Sequence, residues 1–170
     1  MSDVGAGPAV PVLREPAHRV SPRAIGFWTV SALLGDAAVV VAALVAWLVV
    51  PDVPGWAGLV VLLLGLLAAA HVVLMPRIRY RVHRWEVTDT AVHTRAGWLG
   101  RESRIAPLSR VQTVDSRQGA LMRVFGLASI TVTTASAAGP ITVDCLDAAT
   151  AREVVARLTA ITSATAGDAT

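Results

Sequence analysis

The chain has 170 residues, 54% of them hydrophobic, and a formal net charge of +3 carried by arginine alone, since no lysine is present. The apolar residues crowd into the first half, which excludes an ordinary soluble domain and points to a membrane segment followed by a water-compatible one. A single cysteine, Cys145, cannot form an internal disulfide, and its place in the alternating stretch ITVDC marks it as a small core residue.

In chain order, residues 1–22 mix proline, small and polar residues without periodicity and predict a flexible cytoplasmic tail. The run Ala24 to Val50 and the run Trp56 to Met75 each reach the ~20 residues needed to cross ~30 Å of hydrocarbon, giving a two-helix hairpin over residues 24–75. The first run is too long and too deep in the chain for the apolar region of a signal peptide. The connection Pro51 to Gly55 carries only Asp52, whereas Arg14, Arg19 and Arg23 precede the first span and Arg77, Arg79, Arg81 and Arg84 follow the second. The positive-inside rule then puts both termini of this multi-pass protein in the cytoplasm. Trp28 falls near the inner interface, and Trp47 and Trp56 near the outer one.

After Met75 the period changes to two. Tyr80 and Val82 alternate with Arg79, Arg81 and His83; Val92, Thr94 and Ala96 alternate with His93 and Arg95. Ile130 and Val132, then Ile141, Val143 and Cys145, continue the pattern, with turns at 88–90, 97–100 and 135–140. The parity of Tyr80 and Val82 does not carry into Trp85 and Val87, which predicts a bulge near His83 and Arg84. Asp147 to Ile161 sets Ala151, Val154, Val155, Leu158 and Ile161 on one helical stripe, with Asp147 as N-cap. The fold class is thus a membrane α-helical hairpin followed by an α+β domain at 78–163, a bent antiparallel barrel or orthogonal sandwich capped by a C-terminal helix. Residues 164–170 form a second tail.

The stretches W-x-V-T-D (85–89), G-W-L-G-R (97–101), I-A-P-L-S-R-V-Q-T-V (105–114) and Q-G-A-L-M-R-V-F-G-L-A (118–128) resemble, in order and spacing, the bacterial pleckstrin-homology (PH) family of membrane-flanked, YdbS-like proteins. The resemblance implies a PH-like β-barrel with a C-terminal helix on the inner membrane face, and no shared enzymatic activity. Within that frame Leu108 to Val114 is one strand and Leu127 to Thr134 the next. Gln118 to Phe125 forms a helical turn packing Leu121, Val124 and Phe125 inward, and Gly126 permits the return. This block either only specifies the fold, or presents Arg117, Gln118 and Arg123 to lipid headgroups or a partner.

Catalytic chemistry is not expected. His18, His71, His83 and His93 are scattered, and even if His83 and His93 met across a hairpin they would lack a third metal ligand. No G-x-S-x-G elbow or G-x-x-x-x-G-K loop occurs, and no cofactor or small-molecule substrate is implied. Asp36 and His71 stand out, because ionisable groups inside a span are costly. Counted from the loop they lie at similar depth and form a candidate pair, fixing the hairpin or an oligomer contact. Arg77, Arg79, Arg81 and Arg84 are candidate headgroup or partner contacts, or simply set topology. Inositide recognition is disfavoured by the turn Thr88-Asp89-Thr90, which lacks basic residues, and nucleic-acid binding by the interleaved acids. The leading expectation is a protein-interaction or assembly module whose partner is another membrane-bound PH-domain protein or a second copy. A sensor of anionic headgroups is the alternative, and a transporter or export subunit using Asp36 comes last.

Overall fold

The computed structural model describes residues 15–135 and 139–167. Two long helices come first: α1 (Arg23–Val49) and α2 (Ala57–Val82), both long and apolar enough to cross a bilayer. Their apolar residues cover every side rather than one stripe, and Leu33, Leu34, Leu48, Leu62, Leu66 and Leu67 lie more than half exposed. That is the surface of a helix solvated by lipid, not of one covered by protein.

Helix α2 runs through Pro76 to Val82, with the His83 N–H donating to the Arg79 carbonyl at 2.9 Å as its last turn closes. The alternation at residues 79–83 is therefore the end of a helix and not a strand. A five-residue window cannot separate the two periods, and extending a helix already formed needs no new nucleus. The parity change that predicted a bulge is this helix-to-strand transition. The second span and the predicted β-domain thus overlap, and no linker divides the chain at residues 76–78.

Four antiparallel strands follow in the order β1-β2-β3-β4: β1 (His18–Arg19), β2 (Arg84–Val87), β3 (Ala91–Gly97) and β4 (Arg101–Pro107). Strand β1 comes from the stretch expected to be a tail. It pairs with β2 through His18 opposite Trp85 and Arg19 opposite Arg84, so residues 15–22 belong to the fold, while residues 1–14, Arg14 included, lie outside the described residues. A second sheet holds β5 (Val111–Arg117), β6 (Leu127–Thr134) and β7 (Ile141–Asp147) in that order, with the short helix α3 (Ala120–Val124) between β5 and β6. The two sheets do not close into one barrel. The strand expected from Leu108 starts instead as a 3-10 turn over Leu108–Arg110, because the Leu108 N–H turns back to the Thr90 carbonyl (2.8 Å) as its side chain is buried. Helix α4 (Ala148–Gly167) closes the domain, so residues 164–167 of the expected tail continue a helix and 168–170 lie outside the described residues.

The core is one cluster with two sources. Leu127, Ile130, Val132, Val143 and Leu146 from the second sheet pack with Ala151, Val154 and Leu158 of α4, as the helical stripe predicted. Val20, Ala24, Trp28, Ala32 and Met75, all from the hairpin or its approach, belong to the same cluster. Cys145 lies in it too, 1% exposed, and burial pushes its thiol pKa up to about 12.

A bulge on β7 joins the two sources. Ala128 pairs with Leu146 and Ile130 with Val143, so Asp144 and Cys145 together oppose Ser129, and Cys145 takes φ 58°, a left-handed conformation uncommon for a residue with a side chain. The Cys145 carbonyl there accepts the Ser21 N–H at 3.0 Å, while the Ser129 hydroxyl donates to Asp144 at 2.9 Å. Asp147 ends β7 directly before α4, and its carboxylate accepts from the Ser21 hydroxyl at 2.8 Å with Arg23 3.6 Å away. Gly126 makes the sharp return at φ 66°, and Phe125 reaches α1, where a Cβ on Gly26 would stand 2.9 Å from its ring. Val124 was expected to point inward but is 79% exposed. In this segment Met122 and the C-cap Phe125 pack against the core, and Leu121 is half-buried.

Candidate functional surfaces

Asp36 and His71 meet. The His71 Nδ1–H donates to Asp36 Oδ2 at 2.7 Å, across the two helices and 35 residues of chain. Neither side chain is fully enclosed, and a groove of about 210 Å³ runs beside them, lined also by Val39, Val40, Leu64, Leu67 and Ala68. An apolar surround gives each polar group few alternatives to the other. The other side of the imidazole meets Trp98 from the tip between β3 and β4, with ring centroids 5.4 Å apart. The sequence signal for that contact was only the turn G-W-L-G, in which the tryptophan had no assigned role.

A second aromatic stack sits where the hairpin joins the domain. Trp28 of α1 lies 5.1 Å from the His83 ring, and the Arg79 guanidinium lies 4.7 Å above the Trp28 ring. His83 Nδ1–H donates to the Arg79 carbonyl at 2.9 Å, and Nε2 accepts from Arg79 Nε at 3.4 Å, an arrangement suited to the neutral imidazole. Burial, then the Arg79 charge, lowers the His83 pKa, with the nearby Asp144 charge and the bond to the Arg79 carbonyl opposing.

The seven polar residues singled out as contacts do not form one patch. Arg79 is held by Trp28 and His83, and Arg84 faces Glu15 at 3.8 Å. Glu15 also accepts from Arg95, and that bond, with the Arg95 and Arg84 charges, lowers its carboxyl pKa. Gln118 Nε2 donates to the Leu127 carbonyl at 2.8 Å, bracing the β5–β6 connection. Arg77, Arg81, Arg117 and Arg123 remain exposed, the first bonded to the Val73 carbonyl of its own helix. His83 ends α2 while His93 pairs with Glu86 and Ile105, so these two histidines are not neighbours. Among the described residues no three His, Cys, Asp or Glu side chains gather as a metal site would require. What the sequence missed is Ser21, which ties the approach to α1 to β7, and the aromatic partners of His71 and His83.

Two expectations follow. In a double-mutant cycle of Asp36→Ala and His71→Ala, followed by unfolding in mild detergent, the coupling should be about 1 kcal/mol, within the range of interhelical hydrogen bonds in membranes; strictly additive losses would mean the pair does not hold the hairpin. For His83 the unfolded chain, with a value near 6.5, binds more protons than the folded one. Stability should therefore be flat above pH 6.5 and fall as pH drops from there through the lower folded value, a slope that His83→Gln removes.

The model for the family described as "Bacterial PH domain" matches residues 29–161, which takes in most of the hairpin, strands β2 to β7 and most of α4. The chain is also 26% identical over 152 residues to the UPF0699 transmembrane protein YdbS of Bacillus subtilis (strain 168), covering 87% of this chain and 96% of that protein. No solved structure gives a significant match. With two apolar helices leading into two antiparallel sheets and a closing helix, and with the family match extending over more than half its length, this transmembrane protein belongs to the bacterial PH domain family.

Proposed function

We propose that this protein is a non-enzymatic assembly module of the inner membrane, which presents its PH-like domain in a fixed orientation to a second membrane-bound protein or a second copy of itself. The observation that carries this reading is the pair of edge strands, β4 and β5, each with one side unpaired among the described strands. Each is a seven-residue strand at the end of its sheet, with mostly exposed side chains. Such an edge offers a row of backbone donors and acceptors to an added strand, and alternate side chains can select the partner. On β4 the alternate exposed side chains are Arg101, Ser103 and Ile105, the last an apolar residue 44% exposed. The hairpin raises the effective concentration of any partner held in the same bilayer. The positive-inside distribution of arginines supports a cytoplasmic domain with both termini on that side.

The rival reading, a sensor of anionic headgroups, is weakened by the internal use of Arg79, Arg84 and Gln118. It retains Arg77, Arg81, Arg117 and Arg123. A transport role for Asp36 is weaker again, since two helices cannot enclose a pathway.

The experiment is crosslinking of the full-length chain in its native membrane, followed by purification at low and at 0.5 M salt. Beside it runs a variant carrying lysine at both edges, Ile105→Lys with Thr113→Lys. The assembly reading expects one defined protein adduct that persists in salt and drops at least ten-fold in the variant. An adduct indifferent to both edges, or one that disappears with salt, would contradict it.

A further inference from the structure

The turn between β3 and β4 is built to hold two large apolar residues at its apex. The ladder ends at Gly97 opposite Arg101, leaving Trp98, Leu99 and Gly100 as the tip. Gly97 takes φ 127°, and a Cβ there would stand 1.8 Å from the Gly100 oxygen, so the tip can close this tightly only on glycine. At its apex Leu99 is 84% exposed and Trp98 37%.

The level of this tip relative to the membrane can be read from its neighbour. The Trp98 ring lies 5.4 Å from that of His71, in α2. His71 precedes Arg77 by two-thirds of the way round a second helical turn, which at 1.5 Å per residue sets it about 9 Å deeper than the first arginine of the juxtamembrane group. Counting ~20 residues of span from Trp56 puts the hydrocarbon boundary near Pro76, and the same count back from Val50 puts it near Val30. By either count His71 and its partner Asp36 lie inside the hydrocarbon. The tip that touches His71 shares their level.

We propose that the β3–β4 tip is inserted into the leaflet from which the domain emerges, with Leu99 and Trp98 among the acyl chains below the headgroups. The occupant of this exposed apolar apex is therefore lipid, and the surface is continuous with that of the two spans. Tryptophan suits this depth, with an apolar body and one N–H donor. Arg101 at the neck of the tip and Arg77 and Arg81 on α2 are exposed and basic, placed to meet phosphates above it. A second contact has the same sense: Val124 is 79% exposed on α3, and the adjoining Phe125 packs on Gly26 and Phe27 at the foot of α1. The tip and α3 would thus add two shallow anchors to the two spans and fix the tilt of the domain.

The test is a nitroxide attached at Leu99→Cys in the full-length chain, reconstituted in phosphatidylethanolamine–phosphatidylglycerol bilayers. Its collision rates are measured with oxygen, which partitions into lipid, and with a water-soluble nickel chelate. The native Cys145 is buried with its thiol pushed up to about 12, so the reagent is directed to the introduced site. Leu99 is exposed enough for the substitution to spare the core. A label at Leu74→Cys in α2 is the lipid reference. A label at Thr90→Cys, beyond the opposite end of β3, is the aqueous one. The expected result is a Leu99→Cys label that favours oxygen over nickel as the lipid reference does. Nickel access matching the Thr90→Cys label would overturn the proposal. So would low access to both reagents with strong immobilisation, which would mean that protein, such as a second copy, covers the tip.

Discussion

The structure depends on a hydrophobic core that does not stop where the membrane segment ends. Val20, Ala24, Trp28, Ala32 and Met75 pack in one cluster with Leu127, Ile130, Leu146 and Leu158, so neither the hairpin nor the domain has a complete core alone. Burying tryptophan and leucine side chains supplies on the order of 1.5–3 kcal/mol each. That gain explains the less favourable features around it. Cys145 is held in a left-handed conformation costing roughly 1–3 kcal/mol, and the bulge that needs it aims the carbonyl at the Ser21 N–H. Ser21 and Arg23 then meet Asp147, at the junction of β7 and α4. The first helix begins where the last strand ends.

This arrangement bears on function because it removes the hinge that a linker would supply. At the other junction α2 continues to Val82 and β2 begins at Arg84, leaving His83 as the only residue between them, packed by Trp28 and Arg79. A domain held at two junctions, with Trp98 resting on His71 as a third contact, presents its edges β4 and β5 in a set direction. Orientation of that kind favours recognition of another protein in the same membrane, since little rotational freedom remains to be lost on binding. Several arginines are used within the junction itself, leaving fewer for headgroups.

Much of the architecture was legible in the sequence, and the reasons are local. The two spans are written in composition, the α4 stripe in 3.6-residue spacing, and β6 and β7 in clean alternation where one face is buried. Asp36 and His71 could be paired because an antiparallel hairpin with a short loop converts sequence position into depth. The end of α2 was misread because Arg79 to His83 satisfies both periods. Residues 15–22 were misread because a two-residue strand has no periodicity, and its existence depends on Trp85, far along the chain. Val124 faced outward because a single helical turn carries no stripe from which a buried face can be inferred. Trp98 had no assigned role because its contact with His71, 27 residues back, depends on tertiary packing that local periodicity does not record.

The central claim is that hairpin and domain are one body. It is tested most directly by electron-electron distance measurement between nitroxides at Asp52→Cys, in the loop joining the spans, and Thr90→Cys, at the far end of the first sheet, with the full chain in lipid nanodiscs. The account predicts a single narrow distance distribution that broadens when Trp28→Ala is added. A broad or multiple distribution in the otherwise unaltered protein, as a tethered domain gives, would contradict it.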